Sequence, residues 1–246
     1  MKTFFWLIFL FTPVVLLPPK IIDPVAILQK VDANLTSRTR IMESSMVIYG
    51  RRANRTITSK VYAEGNDKAY TEYLSPEREK GTKMLKLGQM LWIYSPETDR
   101  TIQLSGHLLR QSVMGSDLSY EDMMEDRKLT DVYNAKQLGK EQMGNRSCVV
   151  LELNAKVNDV NYVKQKIWID EERFVPLKQE LYAKSGQLLK IVSMTDVKKV
   201  GVRWFPHKMN YKDALKNGQG TDFIILKIQF DAPIPTGIFS KAVLKR

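Results

Sequence analysis

The chain contains few side chains that could carry out nucleophilic or metal-assisted chemistry. His107 and His207 are its only histidines, and Cys148 is its only cysteine. Neither histidine has the spacing of a metal-ligand pair, and no G-x-S-x-G segment supplies a nucleophile for them. Cys148 stands in an apolar run typical of a β-strand, which favours a packed core thiol over a nucleophile. The sequence therefore predicts no catalytic residue, no metal site and no cofactor.

An acidic group in the middle of the chain is the other candidate for chemistry. It consists of Glu121, Asp122, Glu125 and Asp126. Ser119 precedes Asp122 at the spacing of a capping box, which predicts a short helix from about Tyr120 to Glu125. Carboxylates are favoured near a helix N-terminus, so a structural role explains most of this group. Metal binding or acid–base catalysis is the alternative interpretation.

The periodicity of the chain predicts a mainly β (α+β) structure. Asp23 and Pro24 open an amphipathic segment and predict a capped N-terminal helix. Runs with approximate alternation of apolar and polar residues follow from Met46 to Leu104 and, after a helical interruption, from Val149 to Phe230. A last stretch, Thr236 to Val243, predicts a short C-terminal helix. About eleven antiparallel strands would form a curved sheet, and its apolar concave side must be covered by helices or by a ligand.

The N-terminal residues predict export. Lys2 precedes a stretch from Phe4 to Leu17 that is apolar except for Thr12 and Pro13. This is the length of a secretory h-region and is short for a membrane span. We interpret residues 1–22 as a signal peptide or an N-terminal anchor, and residues 23–246 as a single domain.

The charge of the chain points to an anionic partner. Lys and Arg total 38 against 27 Asp and Glu, which gives a formal net charge of +11. Such a surface attracts phosphate-bearing molecules, either lipid headgroups or nucleic acids. The basic residues are scattered singly along the strands and are not concentrated on a recognition helix, which argues against nucleic acid.

An ordered set of short segments resembles a known family. The segments are Leu74–Thr82, Leu91–Tyr94, Gly115–Asp122, Trp168–Asp170, Pro176–Lys178 and Trp204–Pro206. Together they resemble the LolA-like superfamily of outer-membrane lipoprotein-sorting proteins, over roughly Leu35 to Phe230. The resemblance implies a half-open barrel of about eleven antiparallel strands, with short helices as a lid over a lipid-binding cavity, in a periplasmic protein. It is closer to divergent members associated with membrane exporters than to the dedicated lipoprotein shuttle.

The resemblance and the apolar strand faces together suggest a non-catalytic carrier of lipid or lipoprotein acyl chains. The candidate cavity-lining residues are Met84, Leu85, Leu87, Leu91, Ile93, Val149, Leu151, Leu153, Ile167, Ile169, Leu181 and Ile191. The candidate lid residues are Leu108, Leu109, Val113 and Met114. Expected partners are the acyl chains themselves and an inner-membrane exporter or an outer-membrane acceptor. The alternatives are an envelope-stress sensor of the same fold and, less favoured, a hydrolase acting on envelope lipid.

Overall fold

The computed structural model describes residues 23–50 and 52–245, and these residues form one antiparallel sheet of thirteen strands with three short α-helices. The strands are β1 Thr39–Ile48, β2 Arg55–Glu64, β3 Lys68–Ser75, β4 Lys83–Leu87, β5 Met90–Ser95, β6 Arg100–Leu104, β7 Tyr133–Met143, β8 Arg146–Ala155, β9 Lys164–Asp170, β10 Pro176–Tyr182, β11 Leu188–Val200, β12 Arg203–Asp213 and β13 Thr221–Phe230. The helices are α1 Pro24–Leu35, α2 Tyr120–Met124 and α3 Leu129–Val132, with 3₁₀ turns at Gly106–Arg110, Val113–Gly115 and Lys241–Lys245. The predicted signal peptide or anchor, residues 1–22, lies outside the described residues. Among these described residues, none of the helices combines the length and the apolar composition that a membrane span needs.

Two meanders meet in the middle of the sheet. Strands β1 to β6 follow one another on one side, strands β13 back to β7 lie on the other, and β1 pairs with β13. Consequently β6 and β7 are the two edges of the sheet, although they are consecutive in the chain. The connection 105–132 passes between these edges over the concave face, where α2 contacts side chains of β4 and β11.

The predicted mainly β, half-open antiparallel fold is confirmed, with thirteen strands where about eleven were expected. The expectation omitted β7, an edge strand whose side chains are mostly exposed and therefore lack a clear apolar alternation. It also began the first strand at Met46, whereas β1 begins at Thr39. The inward positions Arg40 and Ser44 are polar, and they interrupt the apolar face from which a strand is recognised.

The predicted helix starts are confirmed by their capping bonds. The Asp23 carboxylate accepts a hydrogen bond from the backbone N–H of Val25 at 3.0 Å. Ser119 and Asp122 form the expected capping box at the start of α2. The expected C-terminal helix at Thr236–Val243 occurs as a 3₁₀ helix at Lys241–Lys245, and a turn stands over residues 236–239. Gly237 adopts a φ of +79°, a left-handed conformation that an α-helix does not contain.

Three segments of the chain pack against different parts of the sheet. On the concave side, α1 packs over β7, β8 and β9 through Ile27, Leu28 and Val31. The segment from Leu104 to Met124 packs over β2 to β5 on the same side. On the convex side, the C-terminal turn places Leu244 against Leu85 and Trp92. The middle of the concave face, over β1 to β3 and β11 to β13, lies between the first two of these segments.

Candidate ligand-binding cavity

A cavity of about 270 Å³ lies at this middle region, under residues 118–126, which we call the covering segment. Its apolar lining consists of Leu35, Met42, Val61, Ala63, Ala69, Leu118, Met123, Met124, Met194, Phe205, Pro206, Met209, Phe223 and Ile225. Five of these residues are methionines, whose unbranched and polarizable side chains adapt to differently shaped neighbours. Strand alternation explains the lining, since β13 turns Phe223 and Ile225 toward the cavity while its neighbour Leu226 is 54% exposed.

The covering segment is held to the sheet by buried charges. The Asp122 carboxylate, 6% exposed, accepts hydrogen bonds from the Ser119 backbone N–H at 2.7 Å and from the Tyr162 hydroxyl at 2.7 Å. It also forms an ion pair with Lys190 of β11. Because a buried charge is costly without partners, these contacts fix the start of α2 over β11 and beside the residues that precede β9.

A second group of polar contacts holds the end of the covering segment. Arg40 of β1 pairs with Asp126 at 2.9 Å. Lys86 of β4, 6% exposed, donates to the Met124 carbonyl at 2.6 Å and also contacts the Asn66 carbonyl. The Asn66 side-chain oxygen in turn accepts from the backbone N–H of Asp126 at 3.0 Å. The covering segment is therefore anchored to both halves of the sheet.

Burial perturbs the charged groups of this second contact. Burial lowers the pKa of the Lys86 ammonium, against the opposite influence of Asp126 and Glu125. Burial likewise raises the pKa of the Asp126 carboxyl, against its pairing with Arg40. Each charge is thus disfavoured by its surroundings and stabilised mainly by the others, so separating them would be unfavourable unless water or a new partner replaced the contacts.

A wide polar groove of about 1000 Å³ adjoins the cavity. The two share Gly65, Asn66 and Asp126 in their linings. Charged residues at the groove include Arg38, Arg127, Lys128, Asp131 and Arg203. The cavity therefore has a charged mouth on the side where the covering segment joins α3.

The structure does not bring the predicted lining residues together. Val149, Leu151, Leu153, Ile167 and Ile169 pack directly under α1 as a sealed core. Met84, Leu91 and Ile93 pack under the predicted lid residues Leu109 and Val113, with Leu108 and Met114 at the margin. None of these residues lines the cavity that the described part of the chain encloses under the covering segment.

The remaining predicted lining residues lie elsewhere. Leu85 and Leu87 are on the convex face, against the C-terminal turn, because successive strand residues point to opposite sides and Met84 and Lys86 face inward. Ile191 is on the convex side for the same reason, since its neighbour Lys190 reaches Asp122. Leu181 faces a smaller space of about 140 Å³ beside Tyr162 and Tyr211. We accordingly place the candidate site under the covering segment.

Sequence reasoning missed the cations that hold the covering segment. Arg40, Lys86 and Lys190 each stand between apolar or β-branched neighbours in a strand. A cation at an inward position of such a strand is a usable signal, because it requires a buried partner. The partners themselves come from a distant connection, and no spacing in the sequence shows that the two meet.

The residues considered for catalysis are dispersed. Cys148 is 0% exposed in a cluster with Val150 and Trp168, and burial raises its pKa to about 11. His207 is buried on β12, where its Nδ1 atom lies 3.0 Å from the Phe205 carbonyl oxygen, and His107 is exposed in a 3₁₀ turn. Among the described residues, no group of three or more His, Cys, Asp or Glu side chains could hold a metal ion.

A family model described as "Uncharacterized protein" matches residues 65–246, which is more than half of the chain. The chain belongs to this family, and its fold is that of the LolA superfamily. The LolA-like fold that the sequence resemblance implied is thereby confirmed. None of the curated proteins matches the chain in sequence.

Three solved structures carry the LolA-like fold assignment. A DUF1329 family protein from Desulfovibrio piger is 23% identical, with 91% of this chain and 100% of that chain covered and a TM-score of 0.80. An outer membrane lipoprotein-sorting protein domain from Vibrio parahaemolyticus is 24% identical, with 91% and 99% covered and a TM-score of 0.78. A LolA superfamily protein from Nitrosomonas europaea is 24% identical, with 91% and 100% covered and a TM-score of 0.75. At these identities the likeness establishes the fold.

Proposed function

We propose that this chain is an exported, non-catalytic carrier that holds lipid or lipoprotein acyl chains in the cavity under the covering segment. The observation that carries the proposal is the cavity itself, an apolar, methionine-rich space closed by a short segment that polar contacts hold in place. The outer membrane lipoprotein-sorting domain with the same fold supports a role in handling acylated molecules. Export to the periplasm is part of the proposal and rests on residues 1–22.

The size of the cavity sets what it can hold in the closed form. A volume of about 270 Å³ has room for roughly nine water-sized groups at about 30 Å³ each. Each buried methylene contributes about 0.8 kcal/mol, so a chain segment of that length is held without a covalent bond. A complete lipid is larger than this volume, so the proposal includes outward movement of the covering segment when a lipid enters. Return of that segment to its polar contacts then favours release.

An acyl-probe titration of the purified protein tests the proposal. An environment-sensitive fatty acyl probe is expected to bind with enhanced emission and to be displaced by phospholipid or by a lipopeptide. Ala63 lines the cavity, and the variant Ala63→Phe places a larger side chain there. This variant is expected to reduce probe affinity about tenfold, because the ring fills the space. The variant Leu226→Phe is the matched control, because it enlarges an exposed side chain on the convex face.

The two variants also separate binding from folding. Thermal unfolding of each is measured beside the titration, so that a loss of affinity with an unchanged melting temperature is assigned to the cavity. A wild-type protein that binds no probe, or an Ala63→Phe variant that is stable and binds as well as the Leu226→Phe control, contradicts the proposal.

A further inference from the structure

Charges of opposite sign around the cavity come from different parts of the fold. The acidic lining residues are Asp122, Glu125 and Asp126, and all three belong to the covering segment. The basic lining residues are Arg40, Lys68 and Lys86, and all three belong to strands of the sheet. Lys68 points away from the cavity, since it pairs with Glu64 at 2.8 Å and lies over the Phe239 ring. The cations directed at the cavity are therefore Arg40 and Lys86.

Both cations are satisfied by the covering segment in the closed form. Arg40 pairs with the Asp126 carboxylate at 2.9 Å, and Lys86 donates to the Met124 carbonyl at 2.6 Å. Arg40 also retains an unused donor, because its buried Nε atom has no hydrogen-bond partner among the described residues. A buried donor without a partner is costly, so the Nε–H of Arg40 can donate to a further anionic oxygen without losing an existing contact.

Outward movement of the covering segment would change the charge of the site. It would withdraw the three carboxylates together. Arg40 and Lys190 would lose the ion pairs described above, and Lys86 would keep only its contacts with Asn66. Cations that lose such contacts need replacement partners, and guanidinium and ammonium groups bind carboxylate or phosphate oxygens strongly. A ligand that carries its own anionic group at the end of the apolar part supplies them.

We propose that the ligand of this cavity is an anionic amphiphile, whose acid or phosphate group takes the place of the Asp126 carboxylate at Arg40 and of the Met124 carbonyl at Lys86 while its acyl chain fills the apolar space. This inference rests on the proposed carrier function and names its ligand class. The Asp126 carboxylate is the internal competitor of the ligand headgroup. Ligand binding and displacement of the covering segment are thereby coupled through one pair of cations.

Three fluorescent lipid analogues with identical chains test the proposal, with a phosphatidylglycerol, a phosphatidylcholine and a diacylglycerol head. The wild-type protein is expected to bind the phosphatidylglycerol analogue about tenfold more tightly than the other two. Inorganic phosphate is titrated as a fourth ligand, to distinguish a lipid headgroup from free phosphate. Displacement of the anionic analogue by millimolar phosphate, together with no binding of the diacylglycerol analogue, would contradict an amphiphile site.

Two variants that break the same ion pair are expected to change the affinity for the anionic analogue in opposite directions. Asp126→Asn removes the internal competitor and is expected to tighten binding of the anionic analogue severalfold. Arg40→Met removes the cation that would bind the headgroup and is expected to abolish the preference for the anionic analogue over the diacylglycerol analogue. Lys86→Met is a second variant of this kind, should Arg40→Met fail to fold.

The outcomes separate this inference from the carrier proposal. Equal affinities for all three lipid analogues in the wild type and in every variant would overturn the anionic preference and leave the carrier function supported. Equal responses of Asp126→Asn and Arg40→Met would also overturn it, because the ion pair would then act only by holding the covering segment. Failure of every analogue to bind the folded wild type would overturn the carrier function and this inference together.

Discussion

At the scale of single residues, the side chains of reactive type are buried away from the cavity, whereas charged side chains contact one another around it. Cys148 and His207 are residues of reactive type. However, Cys148 is buried on the convex face, and His207 is buried beside the Phe205 carbonyl. Arg40, Lys86 and Asp122 are ordinary residues in the sequence and carry the polar contacts of the cavity. Burial and partners, and not residue type, decide which of these groups is available to a ligand.

The buried thiol gives a prediction at this scale. Burial raises the pKa of Cys148 to about 11, so its thiolate fraction at pH 8 is about a hundredfold lower than that of an exposed cysteine. Alkylation of the native protein by iodoacetamide at pH 8, followed by intact mass, is therefore expected to be slower than that of the urea-unfolded chain by at least about this factor. Rapid modification of the folded protein would contradict the described packing.

At the scale of elements, the covering segment contains a helix that is too short to be stable without contacts to the rest of the protein. Helix α2 has five residues, too few to be stable alone, and depends on its capping box and on side chains from the sheet. The 105–132 connection crosses the concave face because it must join the two edge strands. Topology therefore places a weak element over the cavity, which suits a cover that has to open.

Loss of one contact is expected to loosen this element selectively. Tyr162→Phe removes the 2.7 Å hydrogen bond to Asp122, and a bond to a charged group contributes about 1.5–3 kcal/mol. Amide hydrogen exchange in residues 122–125 should accelerate at least about tenfold, while exchange in β8 stays unchanged.

The matched control for this prediction is Tyr182→Phe. It removes an equivalent hydrogen bond of 2.6 Å to Glu180 on β10 without touching the covering segment. If amide hydrogen exchange in residues 122–125 is equally fast in the two variants, the Tyr162 hydrogen bond does not hold the covering segment in place.

Much of the fold could be predicted, because the alternation, the hairpin turns and the capping box are local signals. Helix α2 and its cap followed from Ser119 and Asp122 alone. The cavity lining could not be predicted in the same way, since it depends on which strand faces are covered by distant elements. Leu151 and Ile167 are as apolar as Ile225, and only the position of α1 over the first two makes them sealed core.

At the scale of the whole molecule, one sheet combines a sealed end under α1, a cavity under the covering segment and a charged mouth beside it. The formal net charge of +11 adds a long-range attraction for anionic surfaces. Together these features support the proposed carrier function, in which the protein approaches a lipid-containing partner and withdraws an acyl chain from it. The proposed compartment for this activity lies outside the cytoplasm.

Export gives the prediction for the compartment. Residues 1–40 fused to alkaline phosphatase, which becomes active only outside the cytoplasm, should give enzyme activity in a Gram-negative host. The control is the same fusion with Leu7 and Leu10 replaced by Arg, because charges in the apolar stretch prevent it from acting as a signal peptide. A silent wild-type fusion at normal expression would contradict export.

Mapping a photoreactive acyl chain on the purified protein tests the central claim most directly. A fatty acyl chain with a terminal diazirine is bound, irradiated and located by peptide mass spectrometry, with excess unlabelled lipid as competitor. The proposed site predicts competed adducts on the covering segment at Met123 or Met124 and on the facing strands at Met209, Phe223 or Ile225. Competed adducts confined to the α1 core at Val149 or Ile167, or no adducts that the competitor removes, would contradict it.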